Sequence, residues 1–332
     1  MSSWVRSGAL VGAPDLIRRL GGDPAALALA AGIDAAAFND PDFPVPTGAV
    51  VGFFEAAAAS CRCENFGLRL ARQQDLSLLG PLWPLMQSAA TVGEMLQDLA
   101  RYFLLHTTGA LLSIESSRRG LILDYSLSTG TSATDRHTME LGIALLVHEL
   151  RKSRPNWWPG RVLFRHGPPQ DPRLHRQVLG PHVFFNADRN ALFVDPEILA
   201  APYGSGDALV HQQLTSSLGA RRRQLPELLR ARTETVIRSL ISFSPCDVAI
   251  AAGILHLSHR SLQRKLAEEK TSFSEILDAV RADLALKYLR QSDLQIAAIA
   301  EILGFSETST LTRAFRRWYG QSPRRAKHSP PR

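Results

Sequence analysis

Arg260, Gln263 and Arg264 lie within five consecutive residues, and Ser309, Thr312, Arg313 and Arg316 lie within eight. An arginine can grip a guanine edge through two parallel hydrogen bonds and a glutamine can do the same for adenine, while side-chain hydroxyls and guanidinium groups also reach phosphates. The chemistry on offer is recognition of double-stranded DNA. It requires these side chains to share one face of an element slim enough to enter a groove, with the opposite face anchored.

A tandem pattern supplies that element twice. Ala252, Leu255, Leu257 and Ser258 recur as Ala300, Leu303, Phe305 and Ser306 at an offset of 48, whereas Leu262, Arg264 and Leu266 recur as Leu311, Arg313 and Phe315 at 49, so one extra residue sits inside the second copy. Each copy reads as a short helix with a small residue where two helices cross, a tight turn at His256 or Gly304, and a second helix capped by Ser258 or Ser306. Leu262 and Leu266, or Leu311 and Phe315, share one face at i, i+4 spacing and turn inward, leaving the arginine-bearing face outward. The two units are expected at about residues 245–269 and 295–319.

Between them, Ser272-Phe273-Ser274-Glu275 spells a capping box, and Phe273, Ile276, Leu277, Val280, Leu284 and Tyr288 form one apolar face up to about Arg290. A helix of about 18 residues is about 27 Å long, suited to holding two probes about one DNA turn apart. Ahead of the first unit, Pro226 suits a first helical turn, and Leu229, Val236, Ile237 and Leu240 form a stripe that should brace it.

Charge points to the same third of the chain. Residues 221–332 carry 20 Lys and Arg against 11 Asp and Glu, net +9, while residues 1–220 carry net −2. From Arg313 onward there are seven basic residues and no acidic ones, as a segment near phosphates requires. A basic run is also what a solvated face looks like; the repeat is what favours nucleic acid.

The 332-residue chain is long enough for a second domain with its own core. No apolar stretch approaches the roughly 18 residues of a membrane span, so no membrane association is expected. The first 20 residues lack a sustained apolar core, which makes the cytoplasm the expected location. Before a boundary placed near residue 222, in the polar stretch ending in Arg221-Arg222-Arg223, the pattern is α+β. Helices are expected over Pro14–Leu20, Ala25–Ala31, Thr47–Ser60, a capped helix from Thr91-Val92-Gly93-Glu94 through Leu104, and Asp135–Lys152. Ala110–Glu115 and Leu121–Leu127 read as a hairpin around Arg118-Arg119, and Val162–Arg165, Val183–Phe185 and Ala191–Val194 as short strands, with Asn39–Pro46 as an extended connector. The fold class is thus an α+β domain (1–221) followed by an all-α domain (222–332) with two helix-turn-helix units joined by a long helix.

No catalytic or metal constellation accompanies these elements. His148-Glu149 lacks a second histidine at helical spacing, and Cys61-Arg62-Cys63 has one residue between its thiols where zinc motifs have two or more. Gly204-Ser205-Gly206 reads as a flexible loop, and His166, His175 and His182 as hydrogen-bonding or surface groups. Trp83, Trp157 and Trp158 fit a core or an apolar pocket, and Arg101, Tyr102 and His106 would suit an anionic ligand. None of these is assigned to ligand binding. No cofactor and no metal are expected, and an enzyme with a basic tether is the less supported alternative.

The C-terminal third resembles the DNA-binding domain of AraC/XylS-type transcriptional regulators. The resemblance rests on the serine-capped helix with Leu262 and Arg264, on Arg281 with Ala285, on Ile299-Ala300 through Leu303-Gly304-Phe305-Ser306, on Arg313 through Trp318, and on Gly320-Gln321-Ser322-Pro323. Lys270 stands where the family commonly has glycine, Leu311 replaces a frequent phenylalanine, and Ala326-Lys327 replaces Tyr-Arg. The N-terminal region resembles the arabinose-binding/dimerisation-type domain of one branch, through Ala31-Gly32-Ile33-Asp34, Asp40-Pro41-Asp42, Asn65-Phe66-Gly67-Leu68, Met95–Tyr102 and Val162-Leu163-Phe164. The resemblance implies a transcription regulator, an activator, that binds promoter DNA, responds to a small-molecule effector, self-associates as a homodimer and works with RNA polymerase. A regulator that needs no ligand is the alternative within that class.

Overall fold

The chain divides into two units, Met1–Glu227 and Leu228–Arg332, in a computed structural model that describes residues 3–117, 120–127, 135–187, 189–224, 229–241, 246–255, 257–291 and 294–327. The expected turns at Arg118-Arg119 and His256, and Pro226, lie outside the described residues.

The first unit begins with β1 (Trp4–Arg6), α1 (Ala13–Arg19), α2 (Pro24–Ala31), β2 (Pro44–Pro46) and α3 (Thr47–Ser60). Asp23 accepts from the backbone N–H groups of Ala25 and Ala26 with Pro24 at the first helical position, which fixes where α2 starts. The proline-rich connector ends as β2, antiparallel to β1 with Val5 opposite Val45. Next come α4 (Phe66–Ala71), α5 (Leu82–Ser88), α6 (Val92–Tyr102), β3 (Ala110–Ser117), β4 (Gly120–Leu127), α7 (Arg136–Ser153), β5 (Arg161–Leu163), α8 (Arg173–Leu179), β6 (Val183–Phe184), β7 (Ala191–Val194), α9 (Pro196–Leu199) and α10 (Ala208–Gln224). Strands β3 to β7 form a second sheet in the order β3-β4-β7-β5-β6, antiparallel except for the parallel β5–β6 pair. Helices α3, α4 and α7 pack together beside it, burying Phe53, Phe54, Phe66, Met139 and Leu150.

Two sequence expectations change here. Thr91 Oγ1 accepts from the Glu94 N–H, but the Glu94 carboxylate accepts from the Ala90 N–H rather than closing the box on Thr91, because Thr91 is bridged to Pro202. The Gly204-Ser205-Gly206 segment is not a free loop: the N–H groups of Gly204 and Ser205 donate to the carbonyls of Ala89 and Gln87. Downstream, the polar stretch around Arg221 is helical within α10, whose start Asp207 caps through Leu209 and Val210.

The second unit is all helical: α11 (Leu229–Leu240), α12 (Val248–Ile254), α13 (His259–Glu268), α14 (Phe273–Gln291), α15 (Ile296–Ile302), α16 (Thr308–Tyr319) and α17 (Pro323–Lys327). Ser272 and Glu275 close a reciprocal capping box at the head of α14. The single apolar face expected for α14 is corrected. Its buried residues are Ile276, Val280, Ala285 and Leu289, and Phe273, Leu277, Leu284 and Tyr288 are only half-buried, because neighbours cover it on more than one side. Helix α11 packs on it from one direction and α15, α16 and α17 from another. Helix α11 buries Leu229, Val236 and Ile237, and Ile241 just beyond it takes the place expected of Leu240.

Candidate nucleic-acid interface

Helix α12 is capped by Asp247, whose carboxylate accepts from Ala249 N–H at 2.5 Å, and it buries Ala251 and Ala252 where a larger residue would hold the next helix away. The Leu257 N–H returns to the Ala252 carbonyl at 2.9 Å, closing the turn. Ser258 then caps α13 by accepting from Ser261 N–H at 3.2 Å. Leu262 and Leu266 are fully buried, whereas Arg260, Gln263 and Arg264 are exposed on the other side of the same helix. The carboxylate nearest Arg264 is Glu268 at 3.9 Å, and both side chains are solvated, so that pair contributes little.

The second copy repeats the geometry with one shift. Phe305 N–H returns to the Ala300 carbonyl at 2.9 Å, and Gly304 takes the left-handed φ of 69° that this turn demands. Ser306 is not the cap. Helix α16 starts one residue later relative to its counterpart, at the extra residue seen in the repeat offset, so Glu307 occupies the cap position and makes no side-chain cap hydrogen bond. Leu311 and Phe315 are fully buried. Ser309, Arg313 and Arg316 are exposed, and Thr312 is half-buried. The hydroxyls are already engaged: Ser309 donates to the Glu307 carboxylate at 2.8 Å, and Thr312 donates to the Thr308 carbonyl at 2.9 Å.

Residues outside the two probe helices hold them in place. Arg281, on α14, donates from Nε to the Leu303 carbonyl at 2.9 Å and from a terminal nitrogen to the Gly304 carbonyl at 3.1 Å, with its guanidinium 4.5 Å from the Phe305 ring centre. It thereby fixes the turn between α15 and α16. Asp278, also on α14, accepts from both Arg317 and Trp318 Nε1 of α16. Arg238 bridges α11 to Asp283 of α14 at 2.9 Å, and Glu269 at the end of α13 accepts from the first backbone N–H groups of α11, at Leu229 and Arg230. Lys270 has a φ of 56°, the conformation that glycine adopts freely, while its N–H and that of Thr271 close the end of α13. The departure from glycine noted in the sequence thus leaves the turn intact and strains it.

In the first unit an apolar cavity of about 90 Å³ lies among α3, α6, α7 and the β3–β4 hairpin, with Phe54, Leu99, Leu112 and Leu145 in its wall. The tryptophans do not line it. Trp157 Nε1 donates to Asp195, Trp158 lies under the Arg151 guanidinium, and Trp83 faces Lys152. Arg101, Tyr102 and His106 do not converge on an anion site: Arg101 is exposed, whereas His106 is buried at the cavity wall and burial lowers its pKa to about 3, so it is a neutral imidazole. The cavity's polar residues Thr47, Gln74 and Thr138 gave no sequence signal, since they lie far apart along the chain with no shared spacing.

A family described as the arabinose-binding domain of AraC transcription regulators, N-terminal, matches residues 21–203, and a helix-turn-helix domain family matches residues 251–329. The chain is 30% identical over 327 residues to the HTH-type transcriptional regulator VirS of Mycobacterium tuberculosis, covering 98% of this chain and 96% of that protein. It is 28% identical over 280 residues to the ornithine utilization regulator of Pseudomonas aeruginosa, covering 83% of this chain and 82% of that one. The crystal structure of the transcriptional regulator CdpR of Pseudomonas aeruginosa aligns with a TM-score of 0.45 at 24% identity, over 92% of this chain and 96% of the other. The matched domains and these relatives are transcription regulators rather than enzymes.

Proposed function

The chain belongs to the AraC family of DNA-binding transcription regulators, and from that premise we propose that it is an effector-responsive activator that reads promoter DNA through both helix-turn-helix units. In this reading Arg260, Gln263 and Arg264 of α13 enter one major groove, and Ser309, Thr312, Arg313 and Arg316 of α16 enter the next. The 19 residues of α14 are about 28 Å long at ~1.5 Å per residue, the scale of one duplex turn, ~34 Å. The observation that carries the proposal is the division of each probe helix. Leu262, Leu266, Leu311 and Phe315 are fully buried, while the arginines between them are solvated and have no strong carboxylate partner among the described residues. Ser309 and Thr312 would exchange their present intrahelical partners for DNA, which makes the arginines the stronger contributors.

The first domain, residues 1–221, is proposed to sense a small molecule and to support a homodimer, with residues 222–332 delivering the complex to DNA and to RNA polymerase. The test begins by mapping the bound sites on genomic DNA. Gel-shift titrations of Arg264→Ala and Arg313→Ala on that site and on its single-base variants follow. Each substitution should cost about 1–3 kcal/mol and relax preference at one base position. Unchanged affinity and preference in both variants would sink the assignment.

A further inference from the structure

We propose that the cavity of the first unit binds a small, uncharged, predominantly apolar molecule, about one substituted ring in size, held by a few hydrogen bonds from Thr47, Gln74, His106 and Thr138. The proposal rests on the reading of this domain as an effector sensor and specifies the chemistry of what it senses.

Four residues of the lining, from four separate segments, each carry a buried polar atom without a hydrogen-bond partner: Thr47 Oγ1 at the start of α3, Gln74 Oε1 beyond α4, His106 Nδ1 beyond α6 and Thr138 Oγ1 in α7. Thr47, Gln74 and His106 are each more than nine-tenths buried. Buried polar groups are ordinarily paired, so four unpaired ones among the residues around one apolar space mark a place where hydrogen bonds are to be made. Their capacities are readable. The Gln74 amide nitrogen donates to the carbonyls of Ala9 and Val11, so its oxygen is fixed as an acceptor. The threonine hydroxyls donate or accept, and the neutral His106 ring can do either at Nδ1.

None of the described residues in the wall carries a formal charge. Arg6, whose field acts on His106, has its guanidinium engaged by Asp42 and is not part of the lining. A carboxylate or ammonium ligand would therefore be buried without a counter-ion, which is heavily disfavoured. A free pentose fits no better, because so apolar a wall cannot satisfy its full set of hydroxyls and each one left over is penalised. A cavity of about 90 Å³ is several times the ~10–15 Å³ that one water needs. Gly142 on α7 sets its depth, since a Cβ there would stand 2.6 Å from Cε1 of the Tyr125 ring, which forms part of the wall.

The test uses the full chain and a set of probes matched in shape: benzyl alcohol, toluene, benzoate and benzylamine, with L-arabinose alongside. Binding is read by thermal shift and titration calorimetry. Benzyl alcohol should raise the unfolding midpoint of the first unit, whereas benzoate, benzylamine and arabinose should leave it unmoved. Thr138→Val and His106→Asn should each weaken benzyl alcohol by about three- to tenfold, one hydrogen bond's worth, while Thr138→Val leaves toluene binding unchanged; either variant suffices if the other does not fold. Stabilisation by a charged probe or by arabinose, stabilisation by no probe, or benzyl alcohol binding indifferent to both variants overturns the ligand class. Benzyl alcohol binding that responds to the variants yet leaves the affinity for mapped DNA sites unchanged supports the ligand class and overturns the sensor reading instead.

Discussion

Replacing Arg281 should loosen the second DNA-binding unit without touching any residue proposed to meet DNA. Its guanidinium spans the Leu303 and Gly304 carbonyls and lies over the Phe305 ring. Hydrogen bonds from a charged donor contribute roughly 1.5–3 kcal/mol each, and the low end applies to a half-exposed side chain. The ring contact adds about 0.5–1 kcal/mol. Burial works against the total, since desolvation lowers the Arg281 pKa and so disfavours its charged form. A net loss of about 2–3 kcal/mol is expected for Arg281→Ala, or roughly 8–20 °C in the transition of a unit of this size. Arg281→Lys should recover less than half, because an ammonium lacks the fork that reaches both carbonyls. Calorimetry of the full chain would follow the second unit's transition, and hydrogen exchange would follow the amides of Gly304 and Phe305. Gel shifts should show weaker contact by the α16 half of the site and an intact α13 half. If Arg281→Ala shifted the transition by less than about 2 °C with exchange at Gly304 and Phe305 unchanged, the account of this residue as the anchor of the turn would be wrong.

Further outcomes follow from other strained or incomplete features. Lys270→Gly should stabilise the second unit by about 1 kcal/mol in thermal unfolding, because it removes a side chain from a left-handed residue. Glu307→Asp or Glu307→Ser should add about 0.5–1 kcal/mol by supplying the cap that α16 lacks, again read from the unfolding midpoint. His106 remains neutral in the folded state with a pKa lowered from 6.5 to about 3, so the unfolded chain takes up the proton first as pH falls. Its contribution is whole above about pH 6.5 and declines by about 1–2 kcal/mol between pH 6.5 and 5. His106→Asn should flatten that part of the stability profile.

The C-terminal unit is readable because its packing keeps one helical period. Leu262 with Leu266 and Leu311 with Phe315 declare an inward face, and Arg260, Arg264, Arg313 and Arg316 are what remains outside. The repeat offset even marks where α16 starts late, although the pattern points to Ser306 as its cap and Glu307 occupies that place instead. Helix α14 was harder, because a helix covered from more than one direction loses the amphipathic contrast that identifies a face. Helix α10 carries little apolar contrast either, so its sequence looks like the polar approach to a boundary. The cavity was illegible for a different reason. Thr47, Gln74, His106 and Thr138 lie on four separate segments and come together only after the sheet and helices close, so no spacing along the chain records them.

The covering of α14 from several directions has a thermodynamic corollary. Helix α11, with the first copy of the repeat leaning on it, and helices α15 to α17 all draw on the side chains of one rod. Neither half of the duplication therefore possesses a private interior. Cleavage or excision of one half would strip the other of its wall, and the pair should melt as a single cooperative block. An operator that clamps only one half would accordingly slow the opening of its twin.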